Sequence, residues 1–381
     1  MVPRRLPAPT PGRTRWGTTP ARRRVYTLTM DDAGEALRCW FAAAARDLPW
    51  RGPFPRDPYR VLVAEVMLQQ TQVARVVESF ERFLRRFPSV HDLAAAEQEE
   101  VVAEFGGLGY YRRARLLHAA ARRVDAAGAW PRTFAELRRL PGIGPYTAAA
   151  VAAFAFGGVE PPVDGNVMRV AARILACDAP NGSRVLMQRA RDVALGLAGR
   201  PPLPESWEAI MELGATLCTP AHPQCLLCPV NSACAAAWSG TPEQYPGARP
   251  GRSPEHQVWL AAWVERTDGI VLLQHRDNGI LRGLWLPPMT ELDSAASPSG
   301  DQVFALLPFP GHGLTPEPMP EIRHSITYRR IRLTPYRVQV PPNQETRLPP
   351  GWRWERPEAL LGRTSSLLSK LHRACTDGER P

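Results

Sequence analysis

Four cysteines lie within 17 residues in the second half of this 381-residue chain, in the spacing C-x6-C-x2-C-x5-C. Thiolates this close in sequence can surround one metal centre, and either a tetrahedral zinc ion or a [4Fe–4S] cluster is satisfied by four of them. Disulfides are disfavoured, because the chain has seven cysteines, an odd number, and no secretory signal. The sequence therefore predicts a metal centre held by Cys218, Cys225, Cys228 and Cys234.

The length and the hydrophobic pattern predict two domains. Apolar residues recur at helical spacing from about residue 31, whereas the last third carries apolar–polar alternation and a hairpin signal at Thr267-Asp268-Gly269. The expected fold class is multidomain α and α+β, with an all-helical domain followed by a smaller strand-rich domain. The expected segments are a disordered basic leader (1–29), the helical domain (30–238) with its cysteine loop (218–234), a linker (239–256), the strand-rich domain (257–375) and a tail (376–381).

The formal net charge of +10 is held mostly in the leader, since residues 1–30 contain seven arginines and no acidic residue. Residues 31–248 are neutral overall, so the charge balance argues only weakly for a nucleic-acid partner. No apolar run approaches the roughly 20 residues that span a bilayer, so no membrane association and a cytoplasmic location are expected. Lys370 is the only lysine, which excludes a lysine Schiff base in the helical domain.

A glycine-rich turn, Leu140-Pro141-Gly142-Ile143-Gly144-Pro145-Tyr146-Thr147, precedes an alanine-rich helical segment. Gly142 and Gly144 allow a tight turn and a close approach to a ligand, and the free amides at the start of the next helix attract phosphate. This pattern is typical of a helix-hairpin-helix, which contacts the DNA backbone rather than the bases. An ordinary turn between two helices is the alternative.

Two carboxylates are candidates for acid and anion. Glu65 lies among apolar residues on a predicted helix, where burial would desolvate it, and Asp164 opens the segment Asp164-Gly165-Asn166-Val167. Cleaving a sugar–base bond requires one acid and one anion whose pKa values differ. The structural alternatives are a solvated glutamate and an aspartate that caps a helix.

The residues quoted so far, with three further motifs, resemble the helix-hairpin-helix DNA glycosylases that carry an iron–sulfur cluster, and within them the MutY family of adenine DNA glycosylases. The three further motifs are Leu48-Pro49-Trp50-Arg51, EVMLQQTQV (65–73) and GLGYY (107–111). The resemblance covers about residues 48–229 and is weaker beyond. It implies a [4Fe–4S] cluster on the four cysteines, and excision of adenine mispaired with 8-oxoguanine or guanine after the base is flipped out of the duplex.

The resemblance also implies a role for each site residue. Glu65 would protonate the adenine ring and position water, Asp164 would stabilise the positively charged sugar, and Tyr146 and Asn166 would support them. Arg51 and Glu208 would contact the adenine, and Leu68 would line its pocket. Gln70 and Tyr110 would insert into the duplex, where amide and aromatic planes can replace lost stacking.

Tyr146 distinguishes this chain from relatives that also nick the strand, such as endonuclease III, which have a lysine at the matching place. We therefore expect a monofunctional hydrolase, active as a monomer on mispaired double-stranded DNA in the cytoplasm, at the nucleoid. The alternatives are another helix-hairpin-helix glycosylase, acting on mismatched thymine or oxidised pyrimidines, and a DNA-binding module without catalysis.

The second domain resembles the Nudix-like lesion-recognition domain of the family, with Gly283-Leu284-Trp285 as its motif. It lacks the glutamate-rich motif of nucleotide hydrolases, so that activity is not expected. Many family members have Phe-Ser-His after a histidine, whereas this chain has His324-Ser325-Ile326-Thr327-Tyr328. Thr327 and Tyr328 are expected to occupy the lesion-sensing loop.

Overall fold

Helices form the first part of the chain. The computed structural model describes residues 29–248, 253–293, 297–342, 347–357 and 365–377, so most of the expected leader lies outside the described residues. The helices before the first strand are α1 (Met30–Ala44), α2 (Pro58–Leu68), α3 (Val73–Arg86), α4 (Val90–Ala95), α5 (Gln98–Glu104), α6 (Arg112–Ala127), α7 (Phe134–Leu137), α8 (Pro145–Phe156), α9 (Gly165–Ile174), α10 (Arg184–Leu197), α11 (Pro204–Thr216) and α12 (Ala235–Trp238).

The three helices that carry the predicted motifs begin at residues suited to a helix start. Asp57 caps α2, its side chain accepting from the Tyr59 amide at 2.9 Å, and Pro58 occupies the first turn, where its missing N–H costs nothing. Asp164 caps α9 by accepting from the Val167 amide at 2.7 Å. Helix α8 begins after Gly144, and its residues 147–155 are all buried, so it forms the centre of the helical core.

In the residues that the structure describes, the second part of the chain is an eight-stranded sheet with one α-helix and a short 3-10 helix (Gly300–Leu306). Its strands are β1 (Glu255–Arg266), β2 (Val271–His275), β3 (Trp285–Leu286), β4 (Met289–Leu292), β5 (Pro316–Pro318), β6 (Ile322–Ile326), β7 (Arg329–Val340) and β8 (Trp352–Glu355), and the helix is α13 (Ser366–Asp377). The main strand order is β3-β2-β1-β7-β5, with β4 on β1, β6 on β7 and β8 on β2.

Strand β1 is the centre of this sheet and is buried on both faces. It pairs in parallel with β7, with Val258 opposite Arg332. Trp259 and Trp263 belong to the core shared with the helical domain, whereas Leu260 and Val264 belong to a separate core on the other face. A strand buried on both faces explains its nearly continuous apolar sequence.

The predicted fold class is confirmed: an all-helical domain is followed by a smaller strand-rich domain. The hairpin signal at residues 267–269 is confirmed too, since β1 and β2 pair with Glu265 opposite Val271. Helix α12 ends at Trp238 and β1 begins at Glu255, while residues 249–252 of the expected linker and 378–381 of the expected tail lie outside the described residues. None of the described helices has the length and apolar character needed to cross a membrane.

The glycine-rich turn joins α7 to α8, as a helix-hairpin-helix requires. Gly142 has a φ of +74°, and a Cβ there would stand 2.5 Å from Cβ of Leu116 on α6. Gly144 has a negative φ, and a Cβ there would meet nothing within 4 Å. The two glycines therefore serve different purposes: Gly142 is required by the fold, whereas Gly144 leaves the helix start accessible.

We expect Gly142→Ala to lower the free energy of unfolding by about 1–3 kcal/mol, because it adds both backbone strain and a clash with Leu116. Gly144→Ala is the matched control and should change stability by less than about 0.5 kcal/mol. Urea unfolding followed by circular dichroism measures both. Equal stabilities of the two variants would contradict the packing argument.

Candidate active site

A cavity of about 390 Å³ opens between α2, α8, α9 and α11. Its volume suits a small flat ligand. It brings together eight of the residues singled out in the sequence, namely Arg51, Glu65, Leu68, Gln70, Tyr146, Asp164, Asn166 and Glu208. Trp50, Val61 and Phe154 supply apolar wall.

Glu65 is 7 % exposed on α2, and its Oε2 atom has no hydrogen-bond partner in the described structure. Burial raises the pKa of its carboxyl to about 7, the Tyr146 hydroxyl acts against this rise, and the negative charges of Asp164 and Glu208 add to it. A carboxyl of this pKa holds a proton at neutral pH in a substantial fraction of molecules. Glu65 can therefore donate a proton to a ligand in the cavity.

Asp164 lies at the start of α9, across the cavity from α2. Burial raises its pKa, but hydrogen bonds from the Val167 amide and from Asn166 Nδ2, the latter at 2.9 Å, oppose the rise by stabilising the anion. The partial positive charge at the N-terminus of α9 also favours the charged carboxylate. Asp164 is thus both the helix cap that the sequence allowed and a buried carboxyl whose charged form accepts two hydrogen bonds.

Tyr146 occupies the first turn of α8, between the two carboxylates. Burial and the charges of Glu65 and Asp164 raise its pKa well above the usual value, so it keeps its proton. Its hydroxyl donates to Sδ of Met211 at 3.4 Å. Tyr146 therefore presents a neutral hydroxyl, and not an amine, beside the acid.

Glu208 on α11 is held by two arginines. Arg56 donates from Nη1 and Nη2 to its two carboxylate oxygens at 2.9 and 2.7 Å, and Arg51 Nε stands 3.4 Å from Oε1. Paired in this way, the Glu208 carboxylate is oriented within the cavity wall. Arg51 and Glu208, both predicted to contact the ligand, are thus adjacent in the cavity wall.

Glu212, one helical turn further along α11, is held in a similar pair. Burial alone would raise its pKa, but hydrogen bonds from Arg46 and Arg51 outweigh burial and lower it to about 2. The donors are Arg46 Nε and Nη2, both at 2.7 Å, and Arg51 Nη2 at 2.8 Å. Arg51 therefore bridges the two glutamates of α11.

Sequence reasoning missed Arg46, Arg56 and Glu212. Both arginines lie in the loop between α1 and α2, more than 150 residues from their partners, so no local pattern reveals the pairs. One signal was present: Glu208 and Glu212 are four residues apart in a helical segment, which places both on one face. Two acidic residues on an otherwise buried face require cationic partners.

Gln70, just after α2, and Tyr110, just before α6, are both exposed. Both adopt the left-handed backbone region, with φ of 57° and 50°, which costs a non-glycine residue about 1–2 kcal/mol. Gln70 also lines the cavity, whereas Tyr110 does not. Strained exposed residues of this kind are typical of sites that contact a ligand.

The other predicted contact residues lie away from the cavity. Gly142 and Gly144 form the turn before α8. Thr327 and Tyr328 form the two-residue turn between β6 and β7, where Ile326 pairs with Arg329. Thr327 is exposed with a φ of +56°, and the Arg329 guanidinium stands 4.5 Å from the centre of the Tyr328 ring. Tyr328 is thus backed by a cation at the tip of a hairpin.

The four cysteines follow α11 in a loop with two short 3-10 turns. Burial raises the pKa of Cys228 to about 12, and the nearby thiols of Cys218, Cys234 and Cys225 raise it further. Arg173 Nη1 stands 3.3 Å from Cys218 Sγ as a donor. Within the described residues no three His, Cys, Asp or Glu side chains stand in the arrangement of a metal site. The loop nevertheless carries four soft donors within 17 residues, and the Arg173 guanidinium contacts one of them.

Comparisons with known proteins agree with this geometry. The family model of the HhH-GPD superfamily of base excision DNA repair proteins matches residues 63–194, from α2 to α10. The chain is 34% identical to human adenine DNA glycosylase over an alignment of 415 residues that covers 91% of this chain and 74% of that protein. It is 33% identical to the mouse protein, with coverage of 84% and 72%, and 41% identical to that of Mycobacterium tuberculosis, with coverage of 57% and 71%. The chain belongs to the adenine DNA glycosylase family.

Proposed function

We propose that this protein excises adenine that is mispaired with 8-oxoguanine or guanine in double-stranded DNA. It would hydrolyse the bond between base and sugar without cutting the strand. The observation that carries the proposal is a pair of carboxylates, Glu65 and Asp164, in one cavity, with the pKa of the first raised to about 7. A base in a duplex reaches such a recessed pair only when it is flipped out of the stack.

Glu65 is the acid in this mechanism. Its proton goes to a ring nitrogen of the flipped adenine, which turns the base into a neutral leaving group when the bond to the sugar breaks. The Glu65 carboxylate that results can then accept a proton from the attacking water. The unpartnered Oε2 atom supports this role, because a buried carboxyl oxygen without a partner is available to a substrate.

Asp164 is the anion that stabilises the positive charge that develops on the sugar as the base departs. The amide of Val167 and the side chain of Asn166 keep its carboxylate oriented, and each favours the ionised form. Tyr146 supports Glu65 as a neutral donor beside it. The two carboxyl groups thus divide the work of acid and anion.

The wall formed by Arg51, Glu208 and Leu68 would hold the adenine. A carboxylate offers about four lone-pair sites, and Arg56 uses two of those on Glu208, so Glu208 can also accept from the exocyclic amine. Arg51, fixed between two glutamates, would present its planar edge to the base. Trp50 and Phe154 provide apolar surface for the ring faces.

Gln70 and Tyr110 would enter the duplex where the adenine has left it, and the amides after Gly142 and Gly144 would bind a backbone phosphate. The exposure of both side chains and the open space around Gly144 support this part of the proposal. We propose that the protein acts as a monomer. Its place of action would be the nucleoid of the cytoplasm.

The absence of strand cleavage follows from the lysine count. A strand-nicking glycosylase forms an imine between an amine and the sugar, and the sole lysine, Lys370, lies on α13 and donates to the Arg323 carbonyl. Tyr146 stands where an amine would be needed. Hydrolysis by water is the chemistry that remains.

We assign the four-cysteine loop to a [4Fe–4S] cluster held by Cys218, Cys225, Cys228 and Cys234. Such a cluster supplies four iron–thiolate bonds that fix the loop. The residues fit in kind, because the loop carries four soft donors, and the thiols of Cys218, Cys225 and Cys234 lie near enough to Cys228 to raise its pKa. The Arg173 guanidinium faces Cys218 Sγ, where it would offset thiolate charge. The Asn231 side chain, which donates to the Cys225 carbonyl at 2.6 Å, would keep the loop compact.

Thr327 and Tyr328 would sense the base opposite the adenine. A hairpin tip with one exposed hydroxyl and one aromatic ring can offer 8-oxoguanine a hydrogen bond and a stacking surface.

The first test measures single-turnover release of adenine from duplexes with adenine opposite 8-oxoguanine, guanine or thymine. We expect release opposite 8-oxoguanine to be fastest and release opposite thymine to be absent. Glu65→Gln should slow the reaction by about a hundredfold or more, since it removes the acid. Glu81→Gln, at an exposed position of α3, is the matched control. A Glu65→Gln enzyme as fast as this control would refute the catalytic proposal.

The pH dependence provides a second test. Because the protonated form of Glu65 is required and its pKa is about 7, the rate of adenine release should fall about tenfold per pH unit above pH 7. Tyr146→Phe removes the hydroxyl that opposes the rise, so the fall should begin at higher pH. A fall that begins near pH 4, where an ordinary glutamate ionises, would contradict the role of burial.

A third test concerns the base opposite the adenine. The double variant Thr327→Ala/Tyr328→Ala should reduce the preference for 8-oxoguanine over guanine roughly three- to tenfold, as the loss of one or two polar contacts predicts. Ser325→Ala, an exposed position on the same hairpin, is the control. The ratio of single-turnover rates on the two duplexes measures the preference. An unchanged ratio in the double variant would exclude the hairpin tip as the sensor.

A further inference from the structure

Arg113, in the first turn of α6, is 8 % exposed and has no role in the reaction described above. Its guanidinium contacts six oxygen atoms. Five are backbone carbonyls of the two segments that end at Gln70 and Tyr110, and the sixth is the hydroxyl of Thr71, directly after Gln70. This inference therefore rests on the proposed function of Gln70 and Tyr110.

The first of the two segments is the C-terminal end of α2. Arg113 Nη1 donates to the carbonyls of Val66 and Met67, both at 2.9 Å, and also to that of Gln69. Carbonyls at a helix end lack partners within the helix and carry partial negative charge. The guanidinium therefore holds the end of α2 one residue before Gln70.

The second segment is the loop before α6. Arg113 Nη2 donates to the carbonyls of Leu108 and Gly109 at 3.2 and 3.1 Å, and also to the Thr71 hydroxyl at 3.0 Å. The centre of the guanidinium stands 5.6 Å from the centre of the Tyr110 ring. One side chain thus holds the residue before Tyr110 and the residues on both sides of Gln70.

None of these six acceptors is a carboxylate. Burying a cation among carbonyls is costly, and a hydrophobic side chain would fill the space at lower cost if packing alone were required. A guanidinium differs from an ammonium in offering planar, fixed donors in two directions, which fits two segments that must keep a set separation. The choice of arginine thus favours a geometric role over a packing role.

We propose that Arg113 is a positioning residue for base flipping. It sets the distance and orientation between Gln70 and Tyr110, and so determines whether both enter the duplex together at a mispair. It contacts neither the base nor the reacting atoms. Its loss should impair recognition and flipping of the mispair while leaving the acid chemistry of Glu65 intact.

The experiment compares Arg113→Gln and Arg113→Lys with Arg122→Gln, an exposed arginine on the same helix. Two quantities are measured with full-length protein: affinity for mispaired against matched duplex, and the fluorescence of 2-aminopurine placed as the flipped base. Both Arg113 variants should lose about tenfold or more of the preference for mispaired duplex and most of the fluorescence increase, and Arg122→Gln should lose neither. The alkaline limb of the pH–rate profile should stay where it is in the parent protein.

A mutant cycle separates positioning from general destabilisation. If Arg113 acts through the two inserted residues, Arg113→Gln should add little, about twofold or less, when placed on a Gln70→Ala/Tyr110→Ala background. A loss of the same size on both backgrounds would overturn the proposal. Inactivity of the parent protein on the mispaired duplex would instead refute the proposed function on which this inference rests.

Thermal unfolding identifies any variant that fails to fold. If the Arg113 variants do not fold, Thr71→Val tests the proposal instead. It keeps the side-chain shape and removes one of the six oxygen atoms that accept from Arg113. Thr71→Val should fold normally and weaken both the mispair preference and the fluorescence increase. Normal values of both in Thr71→Val would overturn the proposal.

Discussion

Four carboxyl groups line one cavity, and the way in which arginines are distributed among them determines what each can do. Glu208 and Glu212 are each held by two arginines, and this pairing lowers the pKa of Glu212. Glu65 has an unpartnered carboxylate oxygen, and two of the neighbouring negative charges add to the burial that raises its pKa. The arginines therefore pair with the two carboxylates of α11, and Glu65 is the carboxyl that can donate a proton in the cavity.

The sequence predicted those parts of the site that lie in single short segments. Glu65 on α2, Tyr146 on α8 and Asp164 before α9 each stand in a motif where the local pattern sets both the helix and the position on it. The arginines in the loop before α2 do not stand in such a motif, because only the tertiary fold brings them to their partners on α11. Long-range ion pairs leave no periodic trace in one sequence, and for this reason three of the five paired charges, Arg46, Arg56 and Glu212, were missed.

The left-handed backbone conformation of Gln70 and Tyr110 could not be predicted from the sequence either. The glycines in GLGYY predict a turn, and Gly107 and Gly109 do adopt positive φ, but nothing in the local sequence indicates that Tyr110 and Gln70 do so as well. Non-glycine residues remain in that region when surrounding contacts outweigh the strain. Here the contacts come from Arg113, whose hydrogen bonds reach the carbonyls beside both residues. The conformation is thus a property of the assembled domain.

Helix α6 also joins the two domains. Arg115, two residues after Arg113, donates from Nη2 to the Arg282 carbonyl at 2.8 Å and from Nη1 to the Gly283 carbonyl at 3.4 Å, in the second domain. Gly283 has a φ of +76°, and a Cβ there would collide with the Arg115 guanidinium, so both its backbone and its neighbour require glycine. Arg113 therefore holds the segments beside Gln70 and Tyr110, and Arg115, two residues later on α6, contacts the second domain. The contacts that hold the segments beside Gln70 and Tyr110 and the contacts that hold the strand-rich domain thus start from the same turn of α6.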